Sequence, residues 1–232
     1  MSSPQRQRYN LALAFWNVGA VLTRDSDHPL VVERDGPNGK ERGFKLELHD
    51  KNPRAPLSPL YLNLRTKDHP KQGPLTLDIV EMAALQMHAV LEGVSFGAVA
   101  GVPRAGTAFG QSIAKLRCVP HIPLVKGAHR SDLSFGGYIP MPFTRVLVAD
   151  DVISRAGSKY RPIELLRHSD LDVRDVGVLV DRMQGGREQL AHIGCRMHAV
   201  FMVTQLLDIY VEARKMPAEL QTDILQYFAI SA

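Results

Sequence analysis

The chain has 232 residues, 45% hydrophobic and 22% charged, which bounds it to one α/β domain with at most a small appendage. No apolar run reaches membrane-spanning length and the first residues lack the layout of a secretion signal, so a cytoplasmic protein without a membrane partner is expected. The formal charge of +4 comes from scattered Lys and Arg rather than from a stripe, which argues against nucleic acid and suits an anionic small molecule.

Residues 1–10 are polar and are expected to fray, with a short helix over Leu11 to Val18 anchored by Phe15 and Trp16. A strand at Leu30-Val-Val-Glu33, a turn at Asp35 to Gly39, an alternating strand at Phe44-Lys-Leu-Glu-Leu48 and another strand at Leu60-Tyr-Leu-Asn-Leu64 predict a small antiparallel layer. Thr76 and Asp78 open a helix that runs to about Leu91. Gly97 to Ala100 reads as a strand, and Phe109, Ile113 and Leu116 mark the inner face of the helix after it. Between them lies the tight turn Gly101-Val-Pro-Arg-Ala-Gly106, where backbone N–H groups can approach an anion and Arg104 can add a bidentate contact. Taken alone, this turn is a weak signal that any strand-to-helix junction can show.

His121-Ile-Pro-Leu-Val125 predicts the next strand, and 126–137 has no periodicity and reads as a loop. Val146-Leu-Val-Ala149 has the apolar run of a buried parallel strand, with Asp150 and Asp151 where it should end. The small-residue turn from Ser154 to Ser158 then leads into a helix opening near Ser158, because Pro162 is tolerated best in a first helical turn. Strand, acid pair, Gly/Ser turn and helix N-terminus make a site for a phosphorylated sugar. The turn and the helix dipole suit the phosphate, and the carboxylates suit ribose hydroxyls. Val173 to Asp181 is a further strand, Arg187 to Ile193 a short helix closed by Gly194, Met197 to Val203 a last strand, and 204–215 and 218–230 terminal helices. Cys118 and Cys195 have neither CxxC spacing nor metal-ligand company, and the nine histidines form no HExxH pair. The domain division expected is 1–70 for the N-terminal helix and small strands and 71–232 for the α/β core.

Asp150-Asp-Val-Ile-Ser-Arg-Ala-Gly-Ser158 resembles the PRPP-binding signature of the type I phosphoribosyltransferases, with Arg155 where that family has a small residue. Ser58-Pro-Leu-Tyr-Leu-Asn-Leu-Arg65 and Asp181-Arg-Met-Gln-Gly-Gly186 narrow the resemblance to the orotate phosphoribosyltransferases. It spans roughly Phe44 to Tyr210. It implies a mostly parallel sheet flanked by helices under a small N-terminal antiparallel hood. It also implies transfer of the phosphoribosyl group of PRPP to orotate or a similar pyrimidine, with release of pyrophosphate.

By the same resemblance, Arg104, Ala105 and Gly106 belong to the pyrophosphate turn, Asp150 and Asp151 to the ribose, and Ser154, Arg155, Ala156, Gly157 and Ser158 to the 5′-phosphate loop. Tyr61, Leu62, Ser154 and Arg182 fall at the base, Arg182 facing its carboxylate, with Lys45 and Lys51 both open as the family's base-contacting Lys. Lys126 matches the second member of an Arg-Lys pair, Val125 replaces the first, and His129 or Arg130 stands where the family's lid Lys is expected. Lys126, His129, Arg130, Asp150 and Asp151 make up the catalytic set implied. Mg2+ would arrive with PRPP, no residue set forms a dedicated metal cage, and family members are commonly homodimers. The altered lid leaves a second reading open, a catalytically weak or inactive PRPP- or nucleotide-binding regulatory protein.

Overall fold

The protein, as a computed structural model, is described over residues 2–36, 39–46, 48–127 and 132–230. Its elements run α1 (Ser3–Asn17), β1 (Val21–Thr23), β2 (Val31–Gly36), β3 (Gly39–Phe44), α2 (Leu48–Lys51), β4 (Leu60–Leu62), α3 (Leu77–Val90), β5 (Ala98–Gly101), α4 (Ala105–Arg117), β6 (His121–Ile122), β7 (Leu124–Lys126), β8 (Leu133–Phe135), β9 (Arg145–Ile153), α5 (Gly157–His168), β10 (Asp172–Asp181), α6 (Gly186–His192), β11 (Arg196–Met202), α7 (Val203–Glu212) and α8 (Ala218–Ile230).

Five strands form a parallel sheet in the order β11-β10-β9-β5-β6. Its side chains alternate between two faces, as the pleat requires. Leu147 and Ala149 point into one buried cluster with residues of α1, α3, α4, α7 and α8, whereas Val146 and Val148 point into a second with residues of α5 and α6. Helices therefore cover both faces, which is why β9 is apolar on successive residues rather than on every other one. The three remaining strand pairs, β1 with β4, β2 with β3 and β7 with β8, are antiparallel. The expected class, a mostly parallel α/β sheet with small antiparallel strands from the N-terminal part, is the one observed.

Several boundaries differ from expectation. Residues 3–10 are helical rather than frayed, because Ser2 and Gln5 close a capping box and Arg8 lies against the Phe201 ring, 5.6 Å from its centroid. Phe15 is buried as expected, but Trp16 is only half-buried, its ring 4.9 Å from that of Tyr210. The alternation at 44–48 does not form a strand. Pairing stops at Phe44, which turns aside to bridge Ser58, and α2 follows at Leu48. Pro123 divides the strand expected at His121 to Val125 into β6 and β7, and part of the expected loop pairs with β7 as β8. Leu116 is 41% exposed, so the inner face of α4 is set by Phe109, Gly110, Ile113 and Ala114 instead.

Strand β9 continues through both acids to Ile153 instead of ending before them, since β10 stays paired to it as far as Asp181. Pro162 is the sixth residue of α5, not in its first turn. The helix does open near Ser158, at Gly157, with the Lys159 and Tyr160 N–H groups both returning to the Ala156 carbonyl at 2.8 and 3.2 Å. Arg24, just after β1, pairs with Asp223 of α8, and so ties the N-terminal strands to the last helix.

Candidate functional site

In an open parallel sheet, ligands bind where the strand order reverses direction, beyond the carboxyl ends of the strands. Here β5 leads to β6 on one side, while β9, β10 and β11 lie on the other, so the reversal falls between β5 and β9. The Gly101–Gly106 turn leaves β5 at that point, and the acid pair lies beside it in the C-terminal half of β9. Contact between the two is backbone-close. A Cβ on Gly106 would stand 2.5 Å from the Ala149 carbonyl oxygen and 2.8 Å from Asp150 Oδ1, and one on Gly101 would stand 2.5 Å from the Gly106 carbonyl oxygen. Only glycine fits either position, so the turn's glycines are dictated by this approach. Within the turn, the Val102 N–H donates to Ala149 and the Gly106 N–H to Val102, at 2.8 and 2.9 Å, while Arg104 is exposed and Ala105 half-buried.

The two acids have unequal surroundings. Asp150 is 4% exposed. Its Oδ1 accepts the Asp151 N–H at 2.9 Å, and its Oδ2 meets the ammonium of Lys159 at 2.6 Å. Asp151 is half-buried, hemmed in by protein atoms yet keeping an opening, and its Oδ1 accepts the Val152 N–H at 2.8 Å. Burial, then the neighbouring negative charge of Asp150, push the Asp151 carboxyl up to about 8.

Beyond the acids, the loop from Ser154 to Ser158 is fastened from α6, where Gln189 Oε1 accepts the Ala156 N–H at 2.8 Å. Ala156 is buried, while Arg155, Gly157 and Ser158 are exposed and Ser154 half-exposed, so the loop's outer rim faces the solvent. The turn after β10 rests on the same loop, since a Cβ on Gly186 would stand 2.7 Å from Ile153 Cγ1 and 3.0 Å from the Ser154 carbonyl oxygen.

That turn carries Arg182, whose N–H donates to Ile153 at 2.8 Å. Its guanidinium lies 4.5 Å above the centroid of Phe228, and Nε and Nη2 are buried with no hydrogen-bond partner among the described residues. Burial lowers its pKa to about 10, against a small opposing contribution from Tyr227. Tyr227 is itself close to both Arg182 and Ser58, so the end of α8 joins Arg182 to the Ser58–Arg65 segment. Tyr61 on that segment stacks on Phe44 at 5.5 Å and accepts a hydrogen bond from Arg65 Nη1 at 2.7 Å, with Leu62 half-buried beside it. After Arg65 the loop carries His69, whose pKa is lowered by burial and then by the charges of Arg65 and Arg104.

The structure thus gathers Arg104 to Gly106, Asp150, Asp151 and Ser154 to Ser158 around the β5/β9 crevice, and Arg182 with the Ser58–Arg65 segment beside it. Lys126, at the end of β7, is exposed, as are Val125 and Lys45. His129 and Arg130 lie outside the described residues, as does the side chain of Lys51. Lys159, Tyr227, Phe228, Arg65 and His69 were not singled out in the sequence. Lys159 had a readable signal, because it shares the inward spacing of Pro162, Ile163 and Leu166 on α5. For Tyr227 and Phe228 there was none, since the contact joins residues far apart in the chain. Among the described residues, no three His, Cys, Asp or Glu side chains come together as metal ligands, and no helix is long and apolar enough to cross a membrane.

No family model matches the chain. Among curated proteins, the uridine 5′-monophosphate synthase of Bos taurus is 32% identical over 167 residues, 70% of this chain and 33% of that protein. The orotate phosphoribosyltransferase of Sulfolobus acidocaldarius is 28% identical over 160 residues, 68% of this chain and 77% of that one. Among solved structures, the UMP synthase of Leishmania donovani superposes with a TM-score of 0.70 at 24% identity, over 95% of this chain and 42% of the other. The orotate phosphoribosyltransferase of Aeropyrum pernix does so with a TM-score of 0.58 at 23% identity, over 85% and 97%. The chain spans about a third of the length of the bovine relative. Its fold is that of the type I phosphoribosyltransferases. Within that class its sequence is orotate phosphoribosyltransferase-like.

Proposed function

We propose that the chain transfers the 5-phosphoribosyl group of PRPP to orotate or a similar carboxylated pyrimidine and releases pyrophosphate. The observation that carries this reading is Arg182. A buried guanidinium with two nitrogens lacking a partner is a costly arrangement, and a planar carboxylate is the group that answers it with two parallel bonds. The Arg182 N–H is bonded to Ile153, two residues beyond the acid pair on β9. The relatives named orotate phosphoribosyltransferase and UMP synthase support the same substrate class.

In this reaction a C–O bond at the anomeric carbon breaks as a ring nitrogen of the base bonds to that carbon. Negative charge grows on the departing pyrophosphate and positive charge on the ribose ring. Arg104 and Arg65, with His69, supply donors on the side of the leaving group, and Lys126 adds a cation at the rim. Asp151 holds the ribose hydroxyls, and the 154–158 loop takes the 5′-phosphate. Arg182 orients the base, so that most of the rate comes from alignment and electrostatics. Mg2+ enters as the counterion of PRPP, as part of the substrate.

A homodimer is part of the proposal, supported by the exposed apolar run Tyr138, Ile139, Met141 and Phe143, from 46% to 83% accessible. A cytoplasmic setting is supported by two free cysteines, Cys118 and Cys195. The regulatory reading is favoured by one observation: Val125, 48% exposed, presents no cation where the resemblance expects one. The deciding experiment measures pyrophosphate release from PRPP and Mg2+ with orotate and a panel of other bases. Release with orotate is expected. PRPP binding in calorimetry without release by any base would replace transfer with the regulatory reading.

A further inference from the structure

Adjacent carboxylates at the end of one strand invite a symmetric reading in which both hold the ribose. Their bonds in this chain are not symmetric. Lys159 is 3% exposed and sits on the inner face of α5. Its ammonium reaches Asp150 Oδ2 at 2.6 Å, the Val152 carbonyl oxygen at 2.7 Å and Ser158 Oγ at 2.9 Å. Three contacts match the three hydrogens an ammonium can donate, so the cation is saturated by the protein.

Both oxygens of Asp150 are engaged as well, one by Lys159 and one by the Asp151 N–H. Gly106 approaches Asp150 from the pyrophosphate side so closely that a Cβ would stand 2.8 Å from Oδ1. Asp151, by contrast, has one oxygen on a backbone N–H and keeps an opening. A buried ion pair holds its partners only while both remain, and removing one leaves the other charged and alone.

We infer that Lys159 divides the acid pair: it commits Asp150 to fixing the loop on the strand, and leaves Asp151 as the single carboxyl that meets the ribose of the phosphoribosyl substrate. The inference rests on the function proposed above. Lys159 is thereby a positioning residue, acting on the substrate through Asp150 and through Ser158 of the loop.

The test compares three variants by calorimetric PRPP binding with Mg2+ and by Michaelis constants for both substrates. Asp151→Asn is expected to weaken PRPP binding tenfold or more. Lys159→Met is expected to raise the KM for PRPP about tenfold and to leave the KM for orotate within about twofold. A merely structural role would lower the active fraction and kcat without that split. Because Lys159→Met leaves a buried carboxylate alone and can fail to fold, Asp150→Asn with Lys159→Met removes both charges together. This double variant is expected to fold and to bind PRPP clearly better than Asp151→Asn does. Losses as large in the double variant as in Asp151→Asn overturn the division of roles alone, because Asp150 then meets the ligand too. No PRPP binding by the wild-type chain overturns the proposed function and this inference with it.

Discussion

The surroundings of the acid pair and those of Arg182 are built on opposite plans. Around Asp150 the polar groups are paired inside the protein: Lys159 is saturated, both Asp150 oxygens are bonded, and Gln189 holds the loop through Ala156. Around Arg182 the protein leaves two buried guanidinium nitrogens without partners and offers an aromatic face instead. The first half is organised before any ligand arrives. The second holds an unmet demand for hydrogen-bond acceptors, and the proposed function assigns the selection of a carboxylated base to that demand.

Arg182→Ala should show the largest effect. Losing a charge-assisted pair of hydrogen bonds corresponds to about 1.5–3 kcal/mol, roughly a 10- to 100-fold rise in the KM for the base. The KM for PRPP should change little, and steady-state kinetics with each substrate varied in turn would show it. Equal rises in both constants break the comparison, because the two halves would then not be separate.

A smaller effect concerns Asp151 and pH. Its folded-state pKa, raised to about 8 from an unfolded value of 3.8, means the folded chain holds an extra proton between those limits. The stability this group contributes is fully present below the unfolded value and is lost as pH rises through the folded one. Melting temperature of the unliganded protein should therefore carry a decline towards pH 8 that Asp151→Asn flattens. An unchanged slope in the variant removes Asp151 as its source.

Phe228→Leu should have the smallest effect, a change of up to about fivefold in the KM for the base, as expected for loss of a cation–π contact of about 1 kcal/mol. A larger change would mean that the ring also meets the base, and would sharpen the account of how α8 shapes the pocket.

Much of the fold was legible because its signals are local. The apolar run before Asp150, the helix from Thr76 and the strand ending at Asp181 each carry their own periodicity. The boundaries that differed at Phe44 and Ile153 were set by which segment lay alongside, and no local window of sequence contains that partner. Lys159 is the instructive case. Its place on the inward spacing of α5 was visible, yet a buried lysine is uncommon enough that only its acceptors, Asp150, Val152 and Ser158, explain it. Contacts of α8 with Arg182 and Ser58 had no sequence signal at all.

By itself the sequence determined the mostly parallel α/β class and the order of its main strands and helices along the chain. Residue type and short-range periodicity suffice for these. Tertiary structure decided which carboxyl is open and which is paired, and what surrounds Arg182. Those properties depend on solvent exclusion and on partners brought in from other elements, and neither exists until the chain is packed.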